Sequence, residues 1–234
     1  MRARFLWRAY RARFRDQAAE LSVIRRHTRP HDLVCDIGAN KGSYLFWMSR
    51  WAGQVVAFEP QSRLADYLEQ ACRKLKLDNT TIERAGVSNR SGTMDLYMPS
   101  PNSPEASLVR HGDAPSVPVS VVTLDEYFTA SNRLSLLKID VEGAEMDVMK
   151  GAERILREDR PTLVFECEQR HLGQGSVHDC LTYLTGLGYQ GQFIDRGQLK
   201  PTEDFDMASH QSDVGDHFWT ADSYCNNFVC RFRH

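Results

Sequence analysis

This sequence predicts an α/β fold, a parallel sheet with helices on both faces. Two observations carry the prediction. Short apolar runs that read as buried strands alternate with helical stretches from residue 33 onward, the order that parallel crossover units require. Two of those strands end in turns rich in carboxylates and glycine, where α/β sheets bind ligands. At 234 residues, with 26 % charged and 10 % aromatic side chains, the chain suits one large globular domain and not a disordered one.

The first element is helical. Ala3, Trp7, Tyr10, Phe14, Ala18, Leu21 and Ile24 recur at steps of three and four, predicting one basic amphipathic helix within residues 1–29. Leu33-Val34-Cys35 then reads as a buried strand closed by Asp36-Ile37-Gly38. A helix over 42–51 leads to a second strand, Val55-Val56-Ala57-Phe58, closed by Glu59-Pro60. A helical pattern through Leu64, Tyr67, Leu68, Ala71 and Leu75 precedes a third strand over 81–87. Further strands are expected over 134–139, over 163–165, from Phe193 and over 228–232, with helices over 146–156 and 177–187. Two stretches interrupt the alternation within the domain of residues 30–234. Residues 99–118 hold five prolines, and 196–224 are polar and rich in Asp, Ser and His. Both are expected to be loop insertions over the carboxyl ends of the strands.

The formal net charge of −2 hides a split. Residues 1–29 hold nine arginines against Asp16 and Glu20, net +7, and the remainder hold 20 basic and 29 acidic side chains, net −9. Such asymmetry raises the question of an anionic partner for one end. The six cysteines include no C-x-x-C pair and three lie in predicted strands, the usage of free core thiols rather than of a zinc framework or disulfide scaffold. No apolar run reaches the roughly 20 residues of a membrane span, and the arginine-rich start lacks the apolar stretch of a signal peptide. These features predict a cytoplasmic protein.

Chemistry concentrates in two turns. In Asp36-Ile37-Gly38-Ala39-Asn40-Lys41-Gly42 the glycines permit a sharp turn and a close ligand approach, and the next helix presents free N–H groups. Asn40 tolerates left-handed geometry. Glu59, 21 residues after Gly38, ends the second strand, where a carboxylate can accept both hydroxyls of a ribose. The loop reads G-x-x-x-G, not the G-x-G-x-x-G of dinucleotide enzymes. A nicotinamide-dependent oxidoreductase, an S-adenosylmethionine enzyme and a non-catalytic nucleoside-binding module are the readings that remain. The second turn is Leu137-Lys138-Ile139-Asp140-Val141-Glu142-Gly143-Ala144-Glu145. A lysine in a buried strand needs a counter-charge, and alternation places Asp140 on its side. Glu142 and Glu145 also suit the positive end of the following helix. Asp140 and Glu166 are too few carboxylates for a magnesium site, and His171/His178 and His210/His217 match no zinc motif, so no metal is expected.

Taken together, Cys35 to Gly42, Val56-Ala57-Phe58-Glu59-Pro60 and Leu137 to Glu145 resemble the FkbM-type methyltransferase family. Gly86-Val87-Ser88, Thr123-Leu124-Asp125-Glu126-Tyr127, Lys150-Gly151-Ala152 and Val164-Phe165-Glu166 extend the resemblance over about residues 32–195. It implies a Rossmann-like, doubly wound, mostly parallel seven-stranded sheet, the class I methyltransferase fold, here with an added N-terminal helix. It implies S-adenosylmethionine as methyl donor and O-methylation of a hydroxyl on a sugar, glycan or secondary metabolite. Carried onto this chain, Asp36, Gly38, Asn40 and Gly42 form the methionine-side loop, Glu59 binds ribose, Gly86, Val87 and Ser88 border adenine, and Asp140 faces the sulfonium.

A hydroxyl acceptor needs its proton taken as the new bond forms. Asp140, Glu142, Glu166 and His171 are the candidates, in that order, and Asp140 has a competing role in holding the cofactor's amino group. Phe205, Phe218, Trp219 and Tyr224 in the second insertion suit sugar faces, or else pin the loop. Nucleic acid is not an expected partner, because no RNA-binding module is recognisable. The Trp7–Tyr10–Phe14 stripe is expected to lie against the domain or a second copy in a homodimer, with the arginines in water. Peripheral contact with anionic lipid or a glycolipid acceptor is the alternative.

Overall fold

The computed structural model describes residues 2–100, 105–110, 112–129, 131–212, 221 and 223–233. Strands β1 (Leu33–Ile37), β2 (Gln54–Phe58), β3 (Thr80–Glu83), β7 (Leu134–Ile139) and β8 (Thr162–Glu166) pair in parallel in the order β3-β2-β1-β7-β8. Antiparallel β11 (Asn227–Phe232), β9 (Tyr189–Asp195) and β10 (Gln198–Pro201) complete the sheet beyond β8. A second sheet holds β4 (Gly86–Val87), β6 (Ser116–Val122) and β5 (Gly92–Tyr97).

Strand alternation builds two cores. Cys35, Val56, Phe58, Leu137, Ile139 and Phe165 face one, shared with α6 (Glu145–Lys150), α7 (Glu153–Glu158) and α8 (Val177–Gly186). Val34, Val55, Ala57, Leu136 and Val164 face the other, shared with α1 (Arg2–Arg11), α2 (Ala18–Arg26), α3 (Ser43–Trp51) and α4 (Ser62–Leu75). All six cysteines are buried and unbridged. No helix among the described residues is long and apolar enough to cross a membrane.

Among the described residues the main sheet has eight strands, one more than the family resemblance implies. The eighth, β10, forms a hairpin with β9 through Arg196-Gly197, both at positive φ (47° and 77°), the geometry of a two-residue hairpin turn. Its polar composition reads as loop, but it is an exposed edge strand, bearing Lys200 and Pro201 as edges do. The expected strand over 81–87 is two strands in different sheets, β3 and β4. The helix expected over 146–156 breaks at Gly151-Ala152 into α6 and α7, and Gly151 packs so closely on the Ser88 carbonyl oxygen that a Cβ there would lie 2.0 Å from it. Asp125 then caps α7, accepting from the amides of Arg154 (2.8 Å) and Ile155 (3.1 Å). In the proline-rich insertion Pro118 still joins β6, at the end where only β5 lies beside it.

The expected single helix of residues 1–29 is two, α1 and α2, joined by a π-helical turn (Ala12–Asp16) and the non-helical Gln17 (φ −132°). That interruption changes the helical phase. Leu21 and Ile24 are buried as expected, but upstream the buried positions are Phe5, Ala9 and Ala12, while Trp7, Tyr10 and Phe14 stay exposed, Tyr10 and Phe14 with an edge against Trp47 of α3. Phe5 fits against Leu68 of α4 and the backbone of Gly42, where a Cβ would approach its ring within 2.8 Å. Phe5→Ala is expected to lower unfolding free energy by about 3–5 kcal/mol in urea titrations, the cost of an emptied aromatic site.

Candidate active site

The sheet order reverses between β1 and β7, opening a crevice at their carboxyl ends. A cleft of about 830 Å³, open mouth included, lies there. Each of four neighbouring parallel strands delivers a residue to it: Gly38 after β1, Glu59 after β2, Asp140 and Glu142 after β7, and Glu166 ending β8. The small sheet supplies the far wall through Gly86, Val87 and Leu96, joined by Ala106 and Leu108 from the proline-rich insertion. Ser107 fastens that insertion to the site, its hydroxyl donating to the Glu142 carbonyl at 2.7 Å.

The β1–α3 turn is shaped by its neighbours. Gly38 has φ 79°, and a Cβ there would lie 1.8 Å from the Asp140 carbonyl oxygen, so only glycine lets the turn touch the end of β7. Asn40 is left-handed at φ 47°, and its amide donates to Glu59 Oε2 at 2.8 Å. The Gln61 amide donates to Glu59 Oε1, also at 2.8 Å. Glu59 is thereby fixed, and a carboxylate has acceptor capacity beyond these two bonds. Burial pushes its carboxyl up to about 7, against the pull of the two amides.

Beneath the turn sits Lys138, fully buried. Its ammonium lies 3.4 Å from Asp140 Oδ2 and 4.6 Å from the centre of the Tyr44 ring, and donates to the Ile139 carbonyl at 3.2 Å. Burial alone would lower its pKa. Asp140, Glu166, Asp36 and Glu20 outweigh that and raise it, so the lysine stays charged. Asp36, its register partner on β1, is pushed up to about 7 by burial despite the lysine.

Glu142 occupies the left-handed region at φ 54°, which costs a non-glycine residue about 1 kcal/mol or more. Besides the Ser107 bond, its carboxylate meets His171 Nε2 at 3.2 Å. Burial first, then Asp140, Glu168 and Glu145, push its carboxyl up to about 8. Glu166 accepts from Asn226 Nδ2 at 2.7 Å and is raised well above the usual carboxylate range by burial and then Asp140. Neighbouring Glu168 is the reverse: hydrogen bonds from Arg170, Tyr224 and Asn226 overcome its burial and hold it near 2.

The expected cofactor residues thus fall into two groups. Gly38, Asn40, Glu59, Gly86, Val87 and Asp140 line the cleft. Asp36, Gly42 and Ser88 stand behind it: Asp36 over Lys138, Gly42 against Phe5, and Ser88 with its amide on the Val122 carbonyl. Of the proton-acceptor candidates, Asp140, Glu142 and Glu166 line the cleft and His171 reaches it through Glu142. Tyr44, Glu20, Ser107 and Leu108 were not singled out from sequence. They approach through tertiary packing, for which no local pattern exists. Among the loop aromatics, Phe205 packs on Phe193 (5.3 Å) and Phe228 (5.1 Å), and the Tyr224 hydroxyl donates to Glu168 (2.7 Å). Phe218, Trp219 and His217 lie outside the described residues.

A parallel sheet ordered β3-β2-β1-β7-β8, continued by antiparallel strands, with an acid-lined cleft at the reversal, defines a class I methyltransferase fold. The chain belongs to the FkbM methyltransferase family, whose domain model matches residues 36–190. The hexuronic acid methyltransferase AglP of Haloferax volcanii is 29 % identical over 151 residues, 62 % of this chain and 61 % of that protein. The 2-O-methyltransferase NoeI of Sinorhizobium fredii is 28 % identical over 198 residues, 73 % of this chain and 78 % of its own. An FkbM methyltransferase from Methylobacillus flagellatus superposes with a TM-score of 0.57 at 16 % identity, covering 86 % of this chain and 44 % of that one. A Streptococcus mutans chain solved with S-adenosylhomocysteine superposes at 0.53 and 10 % identity, covering 93 % and 97 %. This chain therefore spans about three fifths of AglP and under half of the Methylobacillus protein. Nothing among these relatives supports the nicotinamide or non-catalytic readings.

The raised carboxyls make stability depend on pH. Folded Asp36, Glu59 and Glu145 keep protons up to about 7, with burial the leading cause in each, whereas unfolded carboxyls release them near 4. The folded state binds more protons between those limits, so its stability falls as pH rises from about 4.5 to about 7. Urea midpoints measured across that window should decline, and Glu145→Gln should flatten the decline.

Proposed function

We propose that this chain transfers a methyl group from S-adenosylmethionine to a hydroxyl of a sugar or sugar-acid acceptor. The observation that carries the reading is the convergence of Glu59, Gly38, Asp140, Glu142 and Glu166 from four adjacent strand ends on one cleft. The cleft's donor set suits the cofactor. Glu59 has acceptor capacity for ribose hydroxyls, and Asn40 Oδ1 is buried without a hydrogen-bond partner among the described residues. Val87, Leu96 and Leu108 offer an apolar wall for adenine, and Asp140 a charge for the ammonium or sulfonium. Bound there, the cofactor supplies an electrophilic methyl group on a positive sulfur.

This chain's residues then have two tasks. The first is alignment, since methyl transfer is an in-line displacement. The second is to take the hydroxyl proton, because a sugar alcohol is a weak nucleophile. Glu142 is assigned that role. It lines the cleft, its backbone is held by Ser107, and its carboxylate lies 3.2 Å from His171 Nε2. Asp140 is committed to Lys138, and Glu166 to Asn226. A carboxyl near 8 is a stronger base than an ordinary glutamate, and a nearby sulfonium favours its ionised form. The sugar-acid acceptor is supported by the likeness to AglP, a hexuronic acid methyltransferase, and transfer to a hydroxyl by the likeness to NoeI, a 2-O-methyltransferase.

Titration calorimetry with S-adenosylhomocysteine should show binding that Glu59→Ala weakens about tenfold or more. Absence of binding would overturn the reading. With radiolabelled donor and a panel of hexoses and hexuronic acids, the transferred label should survive mild alkali as an ether. Label released as methanol would assign an ester on a carboxylate instead. Glu142→Gln should lower kcat about a hundredfold or more and abolish the rising limb of the pH–rate profile.

A further inference from the structure

Helix α1 and the π-helical turn after it present two faces. Phe5, Ala9 and Ala12 are buried against the domain, whereas Trp7, Tyr10 and Phe14 are 59 %, 50 % and 70 % exposed. These rings do not stand singly. Tyr10 and Phe14 meet the Trp47 ring of α3 at 5.2 and 6.1 Å, and Trp47 stacks on Trp51 at 5.7 Å. Trp47 Nε1 donates to the Ala9 carbonyl at 2.7 Å, pinning the strip to the domain. Arginines border it throughout: Arg11 over Trp7 (5.2 Å), Arg13 over Phe14 and Trp51 (5.7 Å each) and Arg25 over Trp51 (5.8 Å). The two acids of residues 1–29 offset them only in part. Asp16 is paired with Arg11 (2.7 Å) and Arg15 (3.7 Å), and Glu20 is buried.

From this we infer that the Trp7–Tyr10–Phe14–Trp47 strip and its arginine border dock on an anionic phospholipid bilayer. Exposed Trp, Tyr and Phe side chains gain by entering the headgroup region, where an amphipathic ring is matched on both sides. Guanidinium groups pair there with lipid phosphates, and each basic residue near an anionic leaflet adds to the attraction. Charge argues against a second copy of the chain on the same surface. Two such strips face to face would oppose one +7 segment to another, with no free carboxylate to receive it. Ring geometry argues against nucleic acid. Trp47 and Trp51 stack on each other, and guanidiniums already occupy ring faces of Trp7 and Phe14 that stacked bases would need. The inference does not rest on the methyl-transfer reading, since none of these side chains lines the cleft.

The test is sedimentation of the full chain with phosphatidylcholine vesicles made with and without phosphatidylglycerol. Binding is expected only to the phosphatidylglycerol vesicles, with release on raising salt. Arg13→Ser and Arg15→Ser should each weaken partitioning about fivefold. Trp7→Ser with Phe14→Ser should abolish sedimentation while leaving S-adenosylhomocysteine affinity and melting temperature unchanged. Brominated acyl chains should quench the tryptophan emission of the unsubstituted chain, a readout that needs no variant. Failure to sediment with phosphatidylglycerol vesicles at low salt, or no quenching, would overturn the inference. So would a dimer abolished by the Trp7/Phe14 double substitution, or polyuridylate displacing the chain from vesicles.

Discussion

One buried ammonium sets the terms for the rest of this structure. Lys138 has no access to water, and an isolated charge in such a place costs several kcal/mol. It remains because Asp140, Glu166, Asp36 and Glu20 surround it with negative potential from β7, β8, β1 and α2, and the Tyr44 face covers it from α3. The dependence is mutual. Asp36 is buried on the same face with its Oδ2 lacking a hydrogen-bond partner among the described residues, and Lys138 is the charge that favours its ionised form. Lysine and acids therefore stand or fall as a unit. That unit ties together the strand ends on whose far side the cleft opens.

The cleft consequently draws on more than the α/β core. Glu20 belongs to α2, and Phe5 of α1 occupies the space that a side chain at residue 42 would need. Both lie outside the family-matched segment, residues 36–190. The turn that carries Gly38 and Asn40 is braced on one side by the Asp140 carbonyl and on the other, through Gly42, by Phe5. The two N-terminal helices are thus part of the site's support as well as a surface.

What was legible in the sequence follows from how far each signal reaches along the chain. Buried parallel strands are short apolar runs, and their ends announce themselves, so the positions of Gly38, Glu59, Asp140 and Glu166 at strand termini could be read directly. The carboxylate that Lys138 required was also readable from alternation within one strand, and Asp140 lies at 3.4 Å. The phase of the N-terminal helix was not. Steps of three and four fit Trp7, Tyr10 and Phe14 as well as any buried stripe, and the π-helical turn that holds Phe14 and shifts the phase before Leu21 and Ile24 has no local signature. The Glu142–His171 pair was equally hidden. It depends on a left-handed glutamate and on the approach of two loops 29 residues apart. For β10 a signal existed, Arg196-Gly197 before a short alternating run, but polar composition outweighed it.

The acidity of the cleft has a consequence for the order of events under the proposed chemistry. Glu142, Glu59 and Asp36 are all raised by burial, and the charge of Asp140 adds to the shift of each. Their pKa values lie near neutrality, so the cleft's charge responds strongly to any cation placed in it. A positive ligand beside Asp140 stabilises every carboxylate there in its ionised form, and its binding must release protons. Glu142 thereby becomes a competent proton acceptor when the methyl donor is in place, and recovers its proton affinity once the positive charge has been consumed. The same burial that makes these carboxylates costly to the empty fold makes them sensitive to the cofactor's charge, which a solvent-exposed acid with an ordinary pKa would not be.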